Sequence, residues 1–372
     1  MYLDQWVWVH LASAALGKPR NHGDSEALEA IRGASTKGVA FPLSATHYVE
    51  TTAVKDPGQR RDLAAVMAPI SYCRSLRATP DLIRHQMLTA MHERIGRPMF
   101  RPIPLDVLGI GAMWSLTGTQ GRLLLMGRDG EVDPDMSGLL TSQVLRQANQ
   151  WGEVKLLTGP DDDEVDELRR VGYRPEKTAE STASRLAWEE LYVGMLRDGP
   201  ISRSELRVRV MTREVIHEHH AQLVELLGEY RVSLARLAGG EQMTAQSRAG
   251  MIDFADRMPS MRIAVDMKTE LFRNSQRTWT NNHLHDIDAL SVAVPYCRVV
   301  VTDKDAAASL IRNKAHERNG TMILSRLADV ADTLKTLEVE AQMLGGDVTG
   351  WDCVGPGVGF NPTGPKSLRR TA

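Results

Sequence analysis

The run "RVVVT", Arg298 to Thr302, is the most strand-like stretch of the chain, and the helix-like "DALSVAV" precedes it. Such alternation recurs. "YL" near the start leads into "DQWVWVHLA", "GVAFPLS" into "ATHYVETTAV" with Ser44 placed to cap the helix, and "NGTMILS" into "RLADVADTLKTL". Strands alternating with helices predict an α/β fold, a parallel sheet covered by helices. Further helices are expected near Ser25 to Arg32, over "RRDLAAVMAPI", over "DLIRHQMLTAMHERIG" with Gly96 ending it, and from about Ala306 to Arg318.

The middle of the chain reads differently. Residues 97–250 open with the Pro- and Gly-punctuated "RPMFRPIPLDVLGIGAMWSLTG" and continue mostly as charged amphipathic helix, with no fixed-period repeat. They are read as a helical insertion between residues 1–96 and 251–337, which together make one discontinuous domain. The insertion offers a surface for a protein partner or for self-association. Residues 338–372, ending Gly/Pro-rich, are expected to form a loose tail.

A chain of 372 residues, 42% hydrophobic, has ample material for this core. Its formal net charge of −2 removes any argument from bulk basicity, so nucleic acid would be met through a local patch. Cys73, Cys297 and Cys353 lie far apart with no CxxC pair, which points to a reducing compartment, the cytoplasm, and excludes a disulfide framework. Asp4 stands where a signal peptide would be positive, and the apolar run Pro104 to Leu116 is too short to span a bilayer.

In an open parallel sheet the functional crevice lies beyond the carboxyl ends of the strands. Asp4 follows the first strand, Asp303 follows "RVVVT", Asp286 and Asp288 open the helix before that strand, and Glu50 lies early in the helix after "GVAFPLS". Carboxylates brought to one edge repel one another and raise each other's pKa values unless a counter-charge is present. Oxygen ligands without His or Cys favour Mg²⁺ or Mn²⁺ as that charge.

Four segments resemble the PIN-domain nuclease family, in family order: "YLDQWVWVHLA", "PLSATHYVETT", "NNHLHDIDALSVAVPYCRVVVTDKDAA" and "NGTMILSRLADVADTL". The resemblance covers about the first 95 residues and Met251 to about Leu337, and leaves the insertion unmatched. It implies a PIN-like fold and a metal-dependent endonuclease, most often acting on RNA, with Asp4, Glu50, Asp286 and Asp303 at the metal. "DID" and "TDKD" each offer two aspartates, so Asp288 and Asp305 stand as alternatives.

"FRNSQRTWTNNH" is the best candidate for nucleic-acid contact: Arg273 and Arg277 for phosphates, Trp279 for stacking, Asn281 and Asn282 for polar contacts. Lys304 would meet substrate or screen the acids. Against these readings, Asp286 and Asp303 would each also serve as an ordinary helix cap. "HEHH", His217 to His220, lacks the second histidine of a zinc-protease motif, because position 221 is Ala221; His220 is expected half-buried with Ile216, Leu223 and Leu227. "DDDEVDE", Asp161 to Glu167, fits a solvated helix start. A DNA nuclease with the same site and a non-catalytic nucleic-acid or protein scaffold are the alternatives.

Overall fold

The computed structural model describes residues 1–96, 102–121, 142–196, 201–244, 246–274 and 278–343. Its central sheet holds β1 (Tyr2–Leu3), β4 (Val299–Val301) and β5 (Met322–Leu324) in the order β1-β4-β5. All three run parallel, with Tyr2 opposite Val300 and Val300 opposite Ile323. A separate antiparallel pair joins β2 (Arg74–Leu76) to β3 (Leu108–Ile110).

"GVAFPLS" does not become the expected strand. Leu43 makes a single bridge to Ser75, and Pro42 has no N–H to extend a ladder there. The three-residue strands β2 and β3 were not anticipated; neither is long enough to show a period.

The helices before the insertion are α1 (Gln5–Ala15), α2 (Asp24–Thr36), α3 (Ala45–Ala53), α4 (Pro57–Ser71) and α5 (Thr79–Ile95). Their ends carry ordinary signals. Asp56 caps α4 by accepting from the Gly58 N–H at 2.8 Å, and Gly96 closes α5 at φ 71°, a conformation that costs glycine little. Within the intervening segment lie α6 (Gly111–Thr117), α7 (Ser142–Thr158), α8 (Val165–Arg170), α9 (Pro175–Leu196), α10 (Arg203–Arg213), a π-helical turn (Glu214–Glu218), α11 (His220–Glu229), α12 (Leu234–Leu237) and α13 (Ser247–Asp256). Then come α14 (Pro259–Arg273), α15 (Asn281–Tyr296), α16 (Lys304–Arg312), α17 (Ala315–Asn319) and α18 (Val330–Met343).

Three boundaries differ from expectation. The helix foreseen from Ala306 to Arg318 breaks at Lys314, whose φ of 55° interrupts the ladder. α15 begins at Asn281, ahead of the start read at Asp286, because Thr280 and His283 form a capping box. α18 reaches Met343, so residues 338–343 are helix rather than tail; residues 344–372 lie outside the described residues.

Side-chain alternation along the sheet feeds two cores. Leu3, Val299 and Val301 pack among residues of α1, α2, α4 and α18. Tyr2 and Val300 face the other way, into a core shared by α5, α10, α11, α13, α14 and α15. A buried ionic group ties α9 and the π-helical turn to α14. Lys268 of α14 lies 3.0 Å from Glu189 of α9 and 2.8 Å from Glu214 of the π-helical turn, and Arg213 also pairs with Glu189. Among the described residues, no helix is long and apolar enough to cross a membrane.

Candidate metal centre

Two neighbouring parallel strands end the same way. The Asp4 N–H donates to the Val301 carbonyl at 3.0 Å, so the chain keeps sheet register to that residue and then turns into α1. The Thr302 N–H donates to the Leu324 carbonyl at 2.9 Å, and Asp303 then turns the chain into α16. Each aspartate caps the helix it starts. Asp4 Oδ1 accepts from the Gln5 N–H, and Asp303 Oδ1 accepts from the N–H groups of Asp305 and Ala306 at 2.7 and 3.0 Å. Capping and convergence are therefore not alternatives at Asp303.

Asp286 reaches the same edge from within α15. It is not the N-cap of that helix, which is Thr280. One carboxylate oxygen from each of Asp4, Asp286 and Asp303 lies within 4.8 Å of the others, although Asp4 is remote in sequence from the other two. Burial pushes the Asp4 carboxyl up to about 6, and the charges of Glu50 and Asp303 push the same way. Hydrogen bonds from Thr302, at 2.7 Å, and from Gln5 offset part of that rise.

Glu50 stands beside this group rather than in it. Its Oε1 lies 3.2 Å from His285 Nδ1, across from the residue next to Asp286. The helix that carries it is fixed by His47. The Ser44 N–H donates to His47 Nδ1 at 2.9 Å, so Nε2 holds the proton and donates to the Leu3 carbonyl at 2.8 Å. Burial drives this imidazole down to about 4, which keeps it neutral and locks α3 to the end of β1.

The two alternative aspartates are placed elsewhere. Asp288 accepts both Arg185 guanidinium contacts, at 2.7 and 2.8 Å. Asp305 is exposed in the first turn of α16, and its backbone N–H serves Asp303. An oxygen-only set of three carboxylates fits a hard cation, Mg²⁺ or Mn²⁺. A second acidic group, Glu189, Glu214 and Glu218, also meets within 4.8 Å, but Lys268 and Arg213 already supply its counter-charge.

Of the candidates for nucleic-acid contact, Arg273, Asn282 and Lys304 are exposed, and Arg277 lies outside the described residues. Trp279 is only 3% exposed and packs on Phe272 with ring centroids 5.0 Å apart. It presents no face for a base; the apolar ring follows the hydrophobic core instead. His220 is exposed rather than half-buried, and so is Ile216. The π-helical turn ahead of His220 shifts the face that an α-helical period predicts. Asp161 pairs with Arg61 and Lys155, and Asp166 and Glu167 open the short helix α8.

His285, Thr302, His47 and Arg185 were not singled out in the sequence. Thr302 had a readable signal, a hydroxyl at the end of "RVVVT" one residue before the aspartate. Arg185 had none, because its partner is 103 residues away. No family model, no curated protein and no solved structure matches this chain.

Proposed function

We propose that the protein is a PIN-like, metal-dependent endoribonuclease, a hydrolase that cuts phosphodiester bonds at the edge of its parallel sheet. The observation that carries this reading is the meeting of Asp4, Asp286 and Asp303 within 4.8 Å. The family resemblance of the segments that bear them supports RNA as substrate, and the sparse, unpaired cysteines support the cytoplasm as its place.

Asp4, Asp286 and Asp303 would hold the cation, with Glu50 at their flank. A bound Mg²⁺ or Mn²⁺ would lower the pKa of a water and offset charge developing on the phosphodiester. The chain's own residues do the positioning. Thr302 orients one Asp4 oxygen, leaving Gln5 to hold the other, and the α16 N-terminus orients Asp303. His285 fixes Glu50 close enough to reinforce the negative potential at Asp4. Exposed Lys304 and Asn282 would meet the backbone phosphates of the substrate.

The test is cleavage of single-stranded RNA and DNA by purified protein with Mg²⁺, with Mn²⁺ and with EDTA. RNA cleavage that needs the metal and collapses in Asp303→Asn is the expected result. Cleavage that persists in EDTA ends the proposal; metal-dependent cleavage of DNA alone replaces the substrate. Binding without cleavage favours the scaffold.

A further inference from the structure

A cavity of about 510 Å³ opens between the first turn of α3, strand β2 and one face of the inserted helix α9. Its volume is in the range of small-molecule sites. The α9 residues that line it, Lys177, Thr178, Ser181, Thr182 and Arg185, recur at the spacing of one helical face. Val49, Leu76 and Val292 add apolar side chains to the lining, and the first turn of α3 adds the Thr46 hydroxyl. The lining thus joins cations and hydroxyls to a few apolar side chains.

The charges do not cancel. Arg185 is balanced by Asp288 and Arg77 by Asp81, both at hydrogen-bond distance. Lys177, the third cation in the lining, has no hydrogen bond or ion pair from its ammonium among the described residues. A surplus positive charge among hydroxyls, beside the positive end of a nine-residue helix, suits a phosphate. The apolar side chains suit the flat base that a nucleotide carries together with its phosphate. His285 belongs both to the cavity and to the Glu50 contact, and the next residue is Asp286, so the cavity adjoins the carboxylates.

We propose that this cavity is a nucleotide subsite built by α9: Lys177 and the α9 hydroxyls hold the phosphate, and the apolar lining around half-buried Val49 receives the base. The assignment rests on the phosphodiester reading of the acidic centre, which it would supply with a positioned nucleotide. The same chemistry recognises a free nucleotide and a nucleotide at the end of a strand.

The test is calorimetric titration of the full chain in EDTA, which removes cleavage from the readout. The ligands are the ribonucleoside 5′-monophosphates, the corresponding nucleosides, inorganic phosphate and a 5′-phosphorylated tetranucleotide. At least one monophosphate or the tetranucleotide should bind about tenfold or more tightly than its unphosphorylated counterpart. Lys177→Glu, a change at an exposed residue, should abolish that advantage while leaving the circular dichroism spectrum intact. The tighter of free nucleotide and tetranucleotide identifies the source, and either supports the proposal. Equal binding of phosphorylated and unphosphorylated ligands, no binding of any ligand, or indifference to Lys177→Glu overturns it. Asp303→Asn separates the two readings. Nucleotide binding without metal-dependent cleavage leaves the subsite and removes the hydrolase; cleavage without nucleotide binding does the reverse.

Discussion

The Thr302 hydroxyl donates to Asp4 Oδ2 at 2.7 Å, joining the ends of two adjacent parallel strands that are 298 residues apart in sequence. This contact decides how a buried carboxylate is oriented. Replacing Thr302 with Val keeps the shape and removes the donor, leaving the Asp4 oxygen in a half-buried place without its partner. A loss of about 1–3 kcal/mol in stability is expected, with weaker Mg²⁺ binding. Chemical denaturation and metal titration of Thr302→Val would check it, and unchanged values for both would refute the assigned role.

The Asp4 carboxyl supplies a pH dependence. Burial raises it to about 6 from an ordinary value of 3.8, so the folded chain holds this proton more tightly than the unfolded chain does. Its stabilising contribution is full below about pH 4 and is lost as pH rises through about 6, by at most roughly 3 kcal/mol. A divalent cation competes with the same proton. Excess Mg²⁺ should therefore raise the Tm more at pH 7 than at pH 5. Equal shifts at both values would contradict a cation at Asp4.

Asp303 combines two tasks that substitution separates. Asn keeps a side-chain oxygen for the Asp305 and Ala306 N–H groups but removes the charge, so metal affinity should fall while the Tm stays close to wild type. Ala should lose metal affinity and also about 1 kcal/mol of helix cap. Thermal scans of both variants with and without Mn²⁺ distinguish them; identical Tm values for Asn and Ala would rule out the cap.

Trp279→Ala should act on the fold rather than on a base. Removing a buried indole packed on Phe272 leaves a cavity and costs about 3–5 kcal/mol. Urea unfolding measures this directly. A variant as stable as wild type that binds nucleic acid poorly would restore the stacking role.

Lys268 offers the sharpest test of how the insertion is attached. It is 2% exposed between Glu189 and Glu214, so Lys268→Met leaves buried acids with less counter-charge and should cost about 3–5 kcal/mol. Mild proteolysis should then cut the α9–α11 region faster than in wild type. Unchanged proteolysis would show that apolar packing alone holds those helices.

The parallel sheet was legible because "RVVVT" and "YL" are short apolar runs that must be covered on both faces, and each is followed by an aspartate and a helix. That same grammar gave Asp4 and Asp303. Asp286 was found for a partly mistaken reason, since it sits inside α15 and not at its start. Trp279 was misread because local polarity on either side of it, "RT" and "TNN", says nothing about a core closed by distant Phe272. Arg185 and His285 act through partners 103 and 235 residues away, and no local pattern encodes such pairs.

The three carboxylates at the sheet edge also set an order of events in time. Asp4 is made first, Asp286 and Asp303 follow almost 300 residues later, and β1 pairs with β4 only once that strand has been made. The closing contact spans most of the described chain, the kind of long-range pairing that forms slowly. A growing chain therefore carries its first aspartate beside an incomplete sheet until β4 has been made. Whatever this edge does to its substrate, a nascent chain cannot do it before translation has passed Asp303.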